Sequence, residues 1–194
     1  MAVKLGPAGV PLSCKGRTIV EGMDDIISLG LETMEVQTVR MVSPQHFEQY
    51  WQAGVLAHKT GFEMNIHGPY YSELLGDRLQ RNRSLAKVEA ALQAAKTINA
   101  RHVTLHAGHY GEMGRGQAAN EQVASVFKGI VQRVHDIWND DEEIYPVFPW
   151  LKDGTPAKIG VETSGRQELW GSLEEVLEVV NHVEGTIPVI NLAH

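Results

Sequence analysis

Residues 102–111 read HVTLHAGHYG. The run HVTLH (102–106) has the short, partly apolar and β-branched character of a buried strand, and Ala107-Gly108 stops it. A helical pattern lies on either side. Over 81–98 (RNRSLAKVEAALQAAKTI), Leu85, Val88, Ala91, Leu92, Ala95 and Ile98 recur every three or four positions, and a second helix is expected over 118–138. A short strand between helices is β/α spacing, which implies a parallel sheet.

The same alternation extends outward. Strands are expected at 33–39 (TMEVQTV), 62–67 (FEMNIH, closed by Gly68-Pro69), 158–162 (KIGVE) and 187–193 (IPVINLA). A first strand region, 3–5 and 9–12, is broken by Gly6, Pro7 and Gly9. Helices are expected at 19–29, ending at Gly30, and after Ser43, which caps one with Pro44 in its first position. Ser172 opens another, with Glu175 completing a capping box. The sequence therefore predicts six strands. Both an eight-stranded β/α barrel and an open doubly wound sheet put polar residues at C-terminal strand ends. The expected fold is α/β: a TIM-type barrel holding about six of eight β/α units, as one partial domain over 1–194 truncated at its C-terminus. A full barrel needs roughly 60–90 further residues. GEMGRG at 111–116 lacks the spacing of a phosphate-binding loop and reads as a flexible βα loop. The stretch 139–156 reads as surface decoration anchored by Tyr145, Phe148, Trp150 and Leu151.

Composition narrows the class. With 194 residues, 43% of them hydrophobic, the chain suits one domain with a sizeable core. A single cysteine, Cys14, excludes an internal disulfide and points to a reducing compartment. No apolar run approaches a membrane span and the first residues do not form a convincing signal peptide, so a cytoplasmic protein without a membrane partner is expected. The net charge of −7 gives no global attraction to nucleic acid. The basic cluster Arg78, Arg81, Arg83 and Lys87 and the acidic run 140–143 both read as solvated surface, the basic one with equal claim to be a binding patch.

Chemistry concentrates at strand ends. His67 and His106 end neighbouring strands, which lie about 5 Å apart, so both imidazoles come within reach of one metal ion. Glu162 ends the next strand, where an unpaired charge is costly, and its carboxylate can ligate or bridge. It is the candidate catalytic residue. Asn191 follows Ile190 late in the last expected strand, and His194 falls just beyond it. Glu35 and Gln37 are placed inside the barrel, where Glu35 can orient a ligand histidine or form a core salt bridge. Arg40 lies just past that strand, and His109 sits close enough to His106 to contact substrate. His102 and His182 read as structural or surface groups. Two histidines and a carboxylate can activate water on a phosphoester or bind vicinal sugar oxygens during isomerisation.

Four stretches carry a resemblance: NIHGPYYSELL (65–75), HVTLHAGHYG (102–111), GVETSGRQELWGSLEEVLE (160–178) and PVINLAH (188–194). Together with the opening GPAGVPLSCKGRTIVEGM, they make the chain resemble the endonuclease-four-type apurinic/apyrimidinic endonucleases, closest to their archaeal-type branch, within the xylose-isomerase-like barrel superfamily. The resemblance implies up to three Zn2+ ions. His67 and His106 would ligate the first, Glu162 would bridge the first and second, the position of Asn191 would ligate the second, and His194 the third. It further implies hydrolysis of double-stranded DNA on the 5′ side of an abasic site, with Tyr70, Tyr71, His109 and Arg166 as substrate contacts by position. Asn191 departs from the family, which has an aspartate there, and the family's later ligands lie beyond residue 194. The expectation is little or no nuclease activity from this chain and self-association through the open barrel edge. Two other readings stay open: a metal-dependent sugar or hydroxy-acid isomerase or epimerase of the same superfamily, and a non-catalytic scaffold with a degraded metal site.

Overall fold

A computed structural model describes residues 3–39, 42, 46–140 and 155–194. Arg40, the cap at Ser43-Pro44, the acidic residues 141–143 and the anchors Tyr145, Phe148, Trp150 and Leu151 lie outside the described residues.

Five strands form one parallel sheet: β1 (Thr33–Gln37), β2 (Glu63–His67), β3 (His102–Leu105), β4 (Lys158–Glu162) and β5 (Thr186–Val189). Their spatial order is their chain order. Among the described residues five α-helices accompany them: α1 (Ile19–Ser28), α2 (Phe47–Thr60), α3 (Arg78–Ile98), α4 (Gln117–Asn139) and α5 (Leu173–His182). Each helix packs against the next in sequence, which places them in one layer on one side of the sheet. A doubly wound sheet would reverse its strand order and carry helices on both faces. The molecule is therefore an open, incomplete parallel β/α barrel.

Strand alternation assigns the faces. Met34, Val36, Met64, Ile66, Val103, Leu105, Ile159 and Val161 are all buried and point toward the helices. Alternate positions, including Glu35, Asn65, His67, Thr104, Gly160 and Glu162, line the concave face. The helical stripe predicted on α3 is buried at Val88, Ala91, Leu92, Ala95 and Ile98. Thr18, Asp77 and Ser172 each cap a helix through a reciprocal capping box. Lys96, buried on α3, donates from Nζ to the Ile137 carbonyl at 2.6 Å and so ties α3 to the end of α4.

The expected first strand is the main correction to the count of six. Residues 5–9 run beside β1, but only Ala8 forms a parallel bridge, with Glu35. Three backbone bonds join the two segments: Glu32 N to Leu5 O, Glu35 N to Pro7 O, and Gly9 N to Glu35 O. Pro7 has no N–H to give, so the ladder does not extend. Gly6 is pressed against β1; a Cβ there would lie 1.7 Å from the Thr33 carbonyl oxygen. At the other end β5 stops at Val189 because Asn191 turns the chain, its Oδ1 accepting from the Ala193 N–H.

Candidate metal centre

Because the strands are parallel and in chain order, their C-terminal ends share one rim. His67 is the last residue of β2, Glu162 the last of β4, and His106 follows β3 directly. Glu162 Oε2 lies 2.8 Å from His67 Nε2 and 3.1 Å from His106 Nε2. The ligand atoms of these three residues lie within 4.8 Å of one another, and among the described residues they form the one such group of three or more.

The donor set fits a divalent cation. His67 Nδ1 is 3.1 Å from the Gly68 carbonyl, which can only accept, so Nδ1 keeps its proton, and Nε2, which donates to Glu162 Oε2 at 2.8 Å in the metal-free chain, is the nitrogen that would ligate an ion on losing its own. His106 Nε2 is buried and makes no hydrogen bond, although Glu162 Oε2 is close; the two are not aligned for one. A buried imidazole nitrogen left in this way, facing a carboxylate and a second imidazole, matches an N,N,O metal site.

Electrostatics support that use. Burial pushes the Glu162 carboxyl up, but hydrogen bonds from His67 and Asn191 and the two imidazoles outweigh it, leaving Glu162 below its ordinary pKa and ionised. Burial depresses His67, yet its bond to Glu162, the Gly68 carbonyl and the nearby carboxylates raise it overall. Burial holds His106 below its ordinary pKa, in the neutral form that ligates. Burial raises Glu35.

Over the triad opens a cavity of about 350 Å3, lined by Glu35, Gln37, Thr38, Glu162, Asn191 and the three imidazoles among others. Glu35 therefore stands in the wall of the site, where Thr104 Oγ1 donates to its Oε2 at 3.3 Å. A smaller cavity of about 120 Å3 adjoins it, sharing Tyr70, His106 and His194 and adding Tyr71, His109 and Arg166. Tyr70 packs edge-on against both His106 and Tyr71, with ring centroids 5.3 and 5.2 Å apart. Tyr71 is exposed on the rim.

Asn191 and His194 stand beside the triad. Asn191 Nδ2 donates to Glu162 Oε1 at 2.9 Å, and the His194 ring is 5.8 Å from that of His106. His109 is exposed and held by a residue the sequence did not single out: Glu73 accepts from His109 Nδ1 at 2.7 Å and from its backbone N–H at 3.1 Å. Glu73 and His109 sit on different loops, and no local pattern links them. Glu175 was legible as a cap. It also accepts from the Tyr110 hydroxyl at 2.7 Å; burial and that carboxylate push the phenol up to about 12. Trp170 Nε1 donates to Asn120 at 2.8 Å, and the Trp170 N–H to the Gly108 carbonyl. These contacts lock the loops after β3 and β4 together.

Residues 23–192 match the family described as xylose isomerase-like TIM barrel, and the chain belongs to that family. No curated protein matches. Among solved structures, the chain is similar to a D-tagatose 3-epimerase-like protein (TM-score 0.67, 16% identity, 99% of this chain and 66% of that one). It is also similar to a 3-keto-D-glucoside 4-epimerase from E. coli (0.63, 12%, 94% and 66%) and to endonuclease IV from Thermus thermophilus (0.58, 19%, 94% and 61%). The chain spans no more than about two thirds of the length of these relatives. The fold is thus one that sugar epimerases and an endonuclease also have. Among the described residues, no helix is long and apolar enough to cross a membrane.

Proposed function

We propose that the protein is a metal-dependent isomerase or epimerase acting on a small hydroxylated substrate of the sugar or hydroxy-acid class. One observation carries this reading. The cavity over the triad is walled by carboxyl, amide and hydroxyl groups, and none of the described residues lining it is Lys or Arg. Such groups hydrogen-bond sugar hydroxyls, and about 350 Å3 falls within the range of small-ligand sites. A phosphodiester brings fixed negative charge, which Arg or Lys ordinarily meets.

The two carboxyls of the cavity are tuned apart, as acid–base chemistry requires: Glu162 is held ionised, whereas burial favours the protonated form of Glu35. His67, His106 and Glu162 would hold a single divalent ion, which supplies polarisation of a substrate carbonyl or hydroxyl oxygen. Burial makes the Glu35 carboxylate the more basic of the two; contacted by Thr104, it would take the proton from the carbon beside the polarised oxygen and, once protonated, return a proton to that carbon. Tyr70, edge-on to His106, shields that side from water. The sugar epimerases among the similar structures support the same class.

The test is solvent-exchange: a panel of ketoses, aldoses and 2-hydroxy acids incubated in D2O with the full chain and manganese, cobalt, magnesium or zinc. Deuterium should enter at the carbon beside the carbonyl, and Glu35→Gln should suppress it. No exchange with any sugar or acid by a folded, metal-loaded chain would sink the reading.

A second reading rests on a specific observation: His67, His106 and Glu162 converge as the endonuclease-like stretches imply, with Tyr70, Tyr71 and Arg166 around the adjoining cavity. On this reading the ion is zinc and the substrate is duplex DNA with an abasic site, into whose gap a tyrosine stacks. An end-labelled duplex carrying one abasic site, with zinc or chelator, tests it. A zinc-dependent cut on the 5′ side would displace the isomerase.

A further inference from the structure

Asn191 has one amide oxygen and two N–H groups, and the surrounding atoms fix which way they face. The Ala193 N–H points at Oδ1 from 3.0 Å, and an N–H needs an oxygen there. The amide nitrogen must therefore face the site. One N–H donates to Glu162 Oε1 at 2.9 Å, and Nδ2 also lies 3.4 Å from His194 Nε2. That nitrogen is an acceptor: His194 Nδ1 is 2.8 Å from the Thr163 carbonyl, so the ring proton is on Nδ1. The backbone holds the arrangement in place, with Asn191 N donating to Thr163 Oγ1 and His194 N to the Asn191 carbonyl.

We propose that the Asn191 amide is not a metal ligand but takes the place of a second cation, donating to the Glu162 and His194 lone pairs and confining the centre to one ion. The inference rests on the triad binding a divalent metal, not on which reaction follows. Glu162 is divided by it. Oε1 is committed to the amide, and Oε2 faces the two imidazoles, with which it would hold an ion. A carboxylate at position 191 would have the same shape but no hydrogen to give. Glu162 Oε1, His194 Nε2 and the new oxygen would then present lone pairs to one another, an arrangement that a divalent cation relieves. One residue thus determines whether this rim is a one-ion or a two-ion centre.

The experiment uses the full chain stripped with chelator, loaded with Mn2+, desalted and assayed for metal per chain, with electron paramagnetic resonance on the same samples. The unsubstituted chain should carry one ion with an uncoupled spectrum. Asn191→Asp should carry two, with a spin-coupled spectrum, and adding His194→Ala to it should return the count to one. The unsubstituted chain also reports directly: on loading with zinc, the Asn191 side-chain amide protons should persist and exchange slowly in NMR spectra. Two ions in the unsubstituted chain, one of them lost in His194→Ala, would overturn the inference. So would a folded Asn191→Asp variant that stays at one ion. If the unsubstituted chain binds none, the triad fails as a metal site and the one-ion centre falls with it, whereas one ion in both the unsubstituted chain and Asn191→Asp overturns the amide's role and leaves the triad standing.

Discussion

Where β2, β3 and β4 end, two imidazoles and a carboxylate converge, and His106 Nε2 is buried with no hydrogen bond. One strand further, past the end of β5, an amide meets the same carboxylate and an imidazole meets the amide, yet each side-chain polar atom of Asn191 and His194 has a partner. The residue types are alike and the positions equivalent. What separates a cation site from a polar network is the count of hydrogens: too few for the lone pairs at the first, enough at the second.

The largest effect should come from removing the charge shared by both regions. At a metal concentration 100-fold above its dissociation constant, the unsubstituted chain should gain about 2.7 kcal/mol, which is roughly 5–10 °C in melting temperature for a chain of this size. Glu162→Gln should abolish that gain. Differential scanning calorimetry with and without metal measures it, and a retained metal-dependent shift would place the ion elsewhere.

Next, the two histidines should respond oppositely to the same change in metal-free protein. His106→Leu removes a buried nitrogen that lacks a partner, so stability should rise by about 1 kcal/mol while metal binding is lost. His194→Leu removes the bond to the Thr163 carbonyl, so stability should fall by about 1 kcal/mol. Urea denaturation in chelator compares them; the same sign in both would erase the distinction between the two regions.

The pH profile of the metal-free chain sharpens the contrast within the triad. Glu162 is depressed on folding, so its contribution is present above its unfolded value, about 4.3, and is lost as pH falls through the lower folded value. His67 is raised, so its contribution is complete below about 6.5 and is lost as pH rises through the folded value. Their pair is therefore fully stabilising between about pH 4.3 and 6.5. His106 is depressed and runs the other way: it costs stability as pH falls below about 6.5. In urea series from pH 5 to 9, His67→Gln should remove the alkaline loss and His106→Gln the acid one.

Much of this was legible in the sequence, for identifiable reasons. Strands β1 to β4 show themselves because a helix-covered sheet buries alternate apolar residues such as Met64 and Ile66, and a parallel sheet places each strand-end polar residue on one rim. His67, His106 and Glu162 follow directly from that geometry. The strand expected near residue 3 failed on Pro7, whose missing N–H limits the segment to a single bridge. The orientation of Asn191 was hidden because it depends on the Ala193 N–H and on a histidine tautomer, neither of which has a sequence signature. The Glu73–His109 pair joins two loops 36 residues apart and has no periodic pattern to mark it.

That pair also gives the smallest expected effect. His109 is exposed and Glu73 half-buried, so solvent screens much of their attraction, and Glu73→Gln should change stability by less than about 0.5 kcal/mol. Its consequence should lie in orientation. Glu73 fixes the His109 ring through Nδ1, leaving Nε2 unencumbered by that contact at the rim of the smaller cavity. Glutamine can keep one acceptor but loses the second oxygen that receives the backbone N–H, so the ring should lose its fixed tautomer. Nitrogen-15 spectra of labelled histidine should show the His109 Nδ1–H form in the unsubstituted chain and a mixture in the variant, with His67 and His106 unchanged. A variant that also perturbs the triad signals would mean the two cavities are coupled more tightly than the rim geometry implies.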